Sequence, residues 1–206
     1  MAASLRSTTL QDLLHTRQVW QGHGVTTAPE RGIPTGLPAL DAALPQGGWP
    51  PAALTEILLP AIGCGELTLL LPTVARLSQD HQHVVLVAPP AVPFASAWRA
   101  QGVQLQYLHV LQADAEQALW AMEQCLRAGC CAAVLAWPHT ASYAALRRLQ
   151  VAADAGQCLG FVLRHANAGA LQPSPAALRL AITATRQIEI RKCRGSVAPD
   201  VRFALQ

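Results

Sequence analysis

A glycine-rich loop is the one stretch of this sequence that has the layout of a phosphate-binding site. A predicted apolar strand at residues 54–59 leads into Gly63, Cys64, Gly65, Glu66 and Leu67, and a predicted apolar helix follows at 67–77. In such a unit, backbone N–H groups and the helix N-terminus bind phosphate oxygens. Nucleotide chemistry also needs a Lys and then a Ser or Thr directly after the last glycine. Glu66 and Leu67 stand there instead, and we expect the Glu66 carboxylate to repel phosphate, so the loop is predicted to be a degenerate nucleotide loop.

The rest of the chain offers no replacement for the missing catalytic groups. Its single lysine, Lys192, is far from the loop in sequence. Two predicted strands end at Ala88 and Trp137, where a nucleotide hydrolase would place acidic residues that activate water and hold Mg²⁺. We therefore predict that the protein is not an enzyme and needs no cofactor, and we disfavour a DNA-dependent ATPase.

The composition predicts one medium-sized domain. The chain has 206 residues, of which 51% are apolar and 13% are charged, so it can bury a sizeable core but has a weakly charged surface. Such a surface favours a protein that works in a complex. The net charge of +3 is too small to predict nucleic-acid binding by itself. No apolar run reaches the length of a membrane span, and we expect a cytoplasmic protein without membrane contact.

The cysteines and histidines do not form a recognisable metal site. None of the six cysteines is in a C-x-x-C pair, so free thiols in a reducing compartment are expected. His81 and His83 are two residues apart but lack a third ligand nearby in sequence. The segment 137–140 follows a predicted strand, and a pocket is expected there because ligands of open α/β sheets bind at strand ends.

The alternation of strands and helices predicts an α/β fold with a mostly parallel sheet. Beyond those already given, strands are expected at 83–88, 108–111, 131–137 and 158–163, and helices at 94–101, 115–128 and 140–155. The alternating segments 178–185 and 188–191 predict antiparallel edge strands that are half open to solvent. We divide the chain into an N-terminal helical arm with its linker, residues 1–31, and a core with basic C-terminal strands, residues 32–206.

The N-terminal arm is the first candidate for partner binding. It contains a short amphipathic helix and a short apolar stretch, and it would pack either on its own core or on a neighbouring subunit. The residues concerned are Leu10, Leu13, Leu14, Val19 and Trp20.

The C-terminal strands carry the second candidate, a basic patch that would contact DNA or an acidic partner. The alternative is a solvated edge strand whose charges prevent aggregation. Arg164 stands at the end of an earlier strand. It either belongs to this basic patch or forms an ion pair within the fold. The other residues are Arg186, Arg191, Lys192, Arg194 and Arg202.

Several short motifs make residues 20–206 resemble a known family. Thr35-Gly36, Leu40-Asp41 and Gly47-Gly48-Trp49-Pro50, followed by the segment 53–56, are similar to ImuA. This is a RecA-like accessory family, related to SulA, of the damage-inducible bacterial mutasome. One departure is Ala52, where a Gly is expected.

The resemblance implies a RecA-like P-loop-type core that acts without catalysis as an adaptor in SOS-induced translesion DNA synthesis. The implied partners are an inactive Y-family polymerase homologue, an error-prone C-family polymerase and RecA, with weak DNA contact. Val19-Trp20 resembles the strand with which the RecA arm docks on its neighbour. The alternative is a cell-division inhibitor like SulA, the shorter relative, which binds the tubulin-like protein FtsZ.

Overall fold

A computed structural model describes residues 31–166, 172–199 and 201–205. The strands of this part are β1 (Leu54–Leu59), β2 (Val84–Val87), β3 (Leu108–Leu111), β4 (Ala133–Ala136), β5 (Leu159–His165), β6 (Leu178–Ile182), β7 (Gln187–Cys193) and β8 (Arg202–Ala204). The helices are α1 (Pro38–Ala43), α2 (Glu66–Gln79), α3 (Ala95–Ala100), α4 (Ala118–Arg127) and α5 (Tyr143–Ala155), with a 3-10 turn at Leu105–Tyr107.

The strands form one mixed sheet in the order β3-β2-β4-β5-β1-β6-β7-β8. The first six strands of this order are parallel to their neighbours, and β7 and β8 are antiparallel additions at one edge. This confirms the predicted α/β class with a mostly parallel sheet and antiparallel edge strands. Strand β1 lies between β5 and β6, and all its residues are buried, so the glycine loop starts from the middle of the sheet.

The strand predicted at 178–185 differs in the structure from the strand expected from the sequence. Strand β6 pairs with β7 in the antiparallel direction, as predicted, but it also pairs with β1 in parallel and ends at Ile182. It is buried along its whole length, so the prediction that it is half open to solvent is wrong. It lies between β1 and β7 and is therefore not an edge strand. In β7 the predicted alternation holds, because Ile188 and Ile190 are buried and Arg191 is exposed.

Apolar layers cover both faces of the sheet. One layer joins α2 to the sheet through residues such as Leu69 and Phe161. The other packs α4 and α5 on the opposite face through Met122, Leu126 and Leu149. Helices on both faces explain why β2 and β4 are continuous apolar runs, since a strand covered on both sides has no polar face.

The motifs before β1 hold the segment that leads into this strand against the core. The Thr35 backbone N–H donates to Asp41 Oδ1 at 2.9 Å. A Cβ on Gly48 would lie 2.3 Å from the Ile33 carbonyl oxygen, so only glycine fits there. Trp49 is fully buried, donates from Nε1 to Thr73 Oγ1 at 2.8 Å, and packs edge-on against Phe161. These residues therefore serve the fold.

None of the helices in the described ranges is long and apolar enough to cross a membrane. The predicted arm residues Leu10, Leu13, Leu14, Val19 and Trp20 lie outside the described residues.

Candidate functional site

The glycine loop after β1 is closed by the chain's own carboxylate. The Gly63 N–H donates to Glu66 Oε1 at 2.7 Å, and the Gly65 N–H donates to Oε2 at 3.1 Å. Glu66 is buried although it is the first residue of α2. Backbone N–H groups arranged in this way bind anions, and here the anion is internal. The expectation that Glu66 only repels phosphate is therefore corrected, because its carboxylate occupies the anion position.

The C-terminal part of the chain lies over this loop. Gly65 has a φ of +119°, a conformation that other residues rarely adopt. A Cβ on Gly65 would meet Leu205 Cδ1 at 3.0 Å and Arg186 Nε at 3.6 Å. Burial, and then the charge of Glu66, raises the pKa of the Cys64 thiol, so the loop holds no thiolate nucleophile at neutral pH.

A buried ion cluster underlies the middle of the sheet. Arg164 Nε donates to Glu56 Oε1 at 2.5 Å, and Arg179 Nε lies 2.9 Å from Glu56 Oε2. The two arginines also donate from Nη1 to backbone carbonyl oxygens, those of Ala141 and Gln172. The Glu56 carboxylate is thus shared by two guanidinium groups. Arg164 therefore takes the structural ion-pair role that was the alternative to DNA or partner contact at the surface.

The other residues of the predicted basic patch are spread over different surroundings. Arg186 lies beside Gly65. Arg191 and Arg202 both form ion pairs with Glu189, the latter at 2.8 Å. Lys192 is partly buried and donates to the Ser174 carbonyl oxygen at 2.6 Å.

The pKa of Lys192 is lowered first by burial and then by Arg194 and Arg179. Arg194 is exposed. The structure does not bring this set together as one surface with Arg164.

An apolar groove runs beside the glycine loop. It has a volume of about 320 Å³, and it follows the loop after β2. Large apolar side chains at its edge are exposed, with Ile62 at 61%, Val92 at 78% and Phe94 at 74%. Further lining residues are Leu67, Trp98 and Trp137. Several exposed apolar side chains around one groove indicate a protein-binding surface.

A second cavity of about 160 Å³ adjoins the groove, and Ile62, Pro90 and Trp137 line both. It lies where β1, β2, β4 and β5 end, and its lining includes Arg164 and the exposed His139. This confirms that a pocket forms at 137–140. Among the described residues, Trp137 Nε1 and Arg164 Nη2 are buried without a hydrogen-bond partner.

The histidine geometry differs from the sequence spacing. His83 Nδ1 lies 2.8 Å from His109 Nε2, on the neighbouring strand, whereas His81 contacts the ring of Tyr107. Within the described ranges, no group of three His, Cys, Asp or Glu residues could hold a metal ion.

The sequence reasoning missed Ile62, Val92 and Phe94. The available signal was the segment Ala91-Val92-Pro93-Phe94, which is apolar without helical or strand periodicity. An apolar loop of this kind has no element that would bury it, and its exposure could have been anticipated.

Comparison with known proteins assigns the family. The family model described as cell division inhibitor SulA matches residues 59–160. The cell division inhibitor SulA of Pseudomonas aeruginosa strain PAO1 is 34% identical over 117 residues, covering 55% of this chain and 73% of the relative. The crystal structure of SulA from Pseudomonas aeruginosa aligns at 33% identity with a TM-score of 0.46, covering 54% of this chain and 97% of that chain. The chain belongs to the SulA family.

This result corrects the resemblance to ImuA, which was wrong as an assignment. The predicted role in translesion synthesis was wrong as well, and so were the mutasome polymerases, RecA and DNA as partners, because the family model and the relative that match are those of SulA. The family match begins at residue 59, after the motifs that carried the resemblance. It includes the glycine loop and the groove residues Ile62, Val92 and Phe94, and it ends before β6, β7 and β8.

Proposed function

We propose that this protein inhibits cell division by binding FtsZ, which is the alternative that the sequence analysis left open. The observation that carries the proposal is the 34% identity to a cell division inhibitor, of which the chain covers 73%. The proposed role in the SOS response follows from the same family. No part of the proposal rests on the translesion resemblance.

We further propose that the inhibition is stoichiometric and not catalytic. The loop that would bind phosphate already holds the Glu66 carboxylate on its N–H groups. Ala88 and Trp137 stand at strand ends where a hydrolase needs acidic residues. A protein with this arrangement acts by occupying a surface of its partner.

The finer sequence predictions remain predictions beside this proposal. They are the RecA-like nature of the core, the division into an arm at 1–31 and a core at 32–206, the docking role of the arm, and the cytoplasmic location. None of them is needed for the proposed binding of FtsZ.

The first test is expression of the full chain in bacteria. If the protein blocks division, cells will grow into filaments with regularly spaced nucleoids, because replication continues while septation stops. Cells that carry the empty vector are the control. Cells of normal length at a verified protein level would contradict the proposal.

The second test measures FtsZ assembly with purified proteins. A stoichiometric binder will reduce FtsZ assembly and GTP hydrolysis in proportion to its concentration, with full inhibition near equimolar amounts. The protein alone should hydrolyse neither ATP nor GTP. Inhibition by trace amounts of protein would point to catalysis and contradict the non-catalytic part of the proposal.

A further inference from the structure

We propose that Cys130 and Cys131 form a thiol–disulfide exchange site whose substrate is the disulfide of a small thiol peptide. The two residues stand between α4 and β4, and their Sγ atoms are 3.8 Å apart. Both line a cavity on the side of the sheet where β2, β4 and β5 begin, which we call the thiol cavity. The inference goes beyond the proposed function and does not rest on it.

Cys130 is the thiol that a substrate can reach. Its side chain is exposed, whereas Cys125 and Cys131 are half-buried and Cys158 is buried. Burial raises the pKa of these three other thiols, that of Cys131 to about 12, so they keep their protons at neutral pH. The thiolate is the attacking form in disulfide exchange, and attack also needs access. The exchange therefore starts at Cys130.

The thiol cavity has the size of a site for a small molecule. Its volume is about 450 Å³, and such sites measure about 300–1,000 Å³. The turns that precede β2, β4 and β5 surround it. The Ala132 N–H donates to the His83 carbonyl oxygen at 2.9 Å, and the Leu159 N–H donates to the Ala132 carbonyl oxygen at 2.9 Å. These hydrogen bonds join the three turns, so the cavity is a fixed feature of the molecule.

The lining of the thiol cavity suits a polar, peptide-like group. The side chains of Gln82, Gln157 and His81 supply hydrogen-bond donors and acceptors beside the two thiols. Of the residues that line the cavity in the described ranges, none is Asp, Glu, Lys or Arg. No permanently charged side chain of the lining therefore repels the carboxylate or the ammonium group of a small peptide.

The exchange has two steps. In the first, the Cys130 thiolate attacks one sulfur of the substrate disulfide, so that a mixed disulfide forms and one small thiolate leaves. In the second, Cys131 gives up its proton while its sulfur attacks Cys130 Sγ and expels the other small thiolate. The protons that the two cysteines lose end on the two small thiols. The cysteine pair is thereby oxidised by two electrons, and the substrate is reduced.

The position of Cys131 makes the second step intramolecular. Its Sγ is already in contact with Cys130 Sγ, and this proximity offsets the low fraction of thiolate at Cys131. The disulfide of adjacent cysteines closes a ring that contains the planar peptide bond between them, which strains it. Strained and exposed disulfides are easily reduced again, so the oxidation is reversible.

The experiment incubates the full-length protein with glutathione disulfide and follows each thiol by intact mass and peptide mapping. Cys130→Ser removes the attacking thiol, and Cys131→Ser removes the second one. Cys193→Ser is the matched control, because Cys193 is half-buried like Cys131 but lies in β7. Melting temperatures verify that all variants are folded.

We expect the unchanged protein and Cys193→Ser to form the Cys130–Cys131 disulfide, with Cys130 reacting at least about 10-fold faster than any other thiol. Cys131→Ser should stop at the mixed disulfide on Cys130. Cys130→Ser should take up glutathione about 10-fold more slowly than the unchanged protein does.

A second disulfide tests the role of the thiol cavity. Hydroxyethyl disulfide has no peptide groups, and the ratio of its rate to that of glutathione disulfide is measured for the folded protein and for the protein unfolded in urea. Folding should shift this ratio at least about 5-fold in favour of glutathione disulfide, since a preformed site orients its ligand. An unchanged ratio would overturn the binding role of the cavity.

The remaining outcomes decide on the cysteine pair. No reaction of the unchanged protein, or equal rates for all its thiols, would overturn the exchange site. A mixed disulfide that persists on Cys130, or a disulfide from Cys130 to Cys125, would overturn the role of Cys131. None of these results bears on the proposed inhibition of FtsZ, which is measured separately.

Discussion

The glycine loop and the apolar groove share Gly63 and Glu66 as lining residues, but they meet their surroundings in opposite ways. In the loop, the backbone N–H groups are satisfied by a carboxylate of the same chain. In the groove, Ile62, Val92 and Phe94 are left exposed to water. The contrast teaches that the anion position of the loop is filled by the chain itself, while the apolar surface beside it is left open. The loop should therefore matter for stability and the groove for binding.

The largest expected effect comes from the ion cluster next to the cavity. Glu56→Gln removes the carboxylate that Arg164 and Arg179 share, which leaves the buried guanidinium group of Arg164 without its ion-pair partner. Breaking a buried ion pair in this way costs about 3–5 kcal/mol. Urea unfolding should show this loss, with the exposed Glu116→Gln as the matched control. A loss below about 1 kcal/mol would contradict a stabilising role for the ion cluster.

The second prediction concerns the carboxylate in the loop. Glu66→Ala leaves the N–H groups of Gly63 and Gly65 without their partner, and the expected loss of unfolding free energy is about 1–3 kcal/mol. Sulfate should recover part of it by occupying the vacated position. Thermal unfolding in sulfate and in chloride measures both effects, with Glu116→Ala as the control. If sulfate stabilises the unchanged protein as much as the variant, Glu66 does not replace an external anion.

A smaller change in unfolding free energy is expected for a substitution in the turn before β1. At this position, relief of backbone strain and loss of side-chain contacts change the stability in opposite directions. Ala52 has a φ of +48°, which costs a residue with a Cβ about 1–2 kcal/mol. Ala52→Gly should raise the unfolding free energy by about 0.5–1 kcal/mol, since the greater freedom of Gly when unfolded offsets part of the gain. Ala42→Gly, in α1, should lower it by about 1 kcal/mol. Equal signs for the two variants would contradict the strain at Ala52.

The smallest effect on stability is expected in the groove. Phe94 is largely exposed, so Phe94→Ala should change the unfolding free energy by no more than about 0.5 kcal/mol. Phe161→Ala, the same change at a buried position, should cost about 3–5 kcal/mol. Urea unfolding compares the two. A large loss for Phe94→Ala would show that its role is in folding, and the contrast between loop and groove would fail.

The resemblance to ImuA was misleading for a physical reason. The motifs that carried it, around Thr35, Asp41 and Gly48-Trp49, hold the segment before β1 to the core. Such residues are expected in any protein that packs this segment on its core in the same way, whatever partner the protein binds. The exposed apolar side chains of the groove lie elsewhere, and the segment Ala91-Val92-Pro93-Phe94 had no recognisable pattern.

Local regularities of the sequence were sufficient for the class of fold. The predicted bounds of β1 and β3 agree with the structure, and the missing lysine and hydroxyl after Gly65 were evident from the residues alone. A continuous apolar run predicts a strand that is buried on both faces, and apolar residues with helical periodicity predict a helix with one buried face. Both signals come from residues close together in the chain.

The tertiary structure alone decided the pairing of β6 with β1, the internal carboxylate in the loop and the residues that line the groove and the cavity. Glu56 and Arg164 are 108 positions apart, and the groove and cavity join segments that follow four different strands. Sequence patterns describe which faces are apolar, but they do not give strand order or the direction of a side chain at a strand end. The contacts on which the proposed partner binding depends are of this long-range kind, whereas those that define the fold class are local.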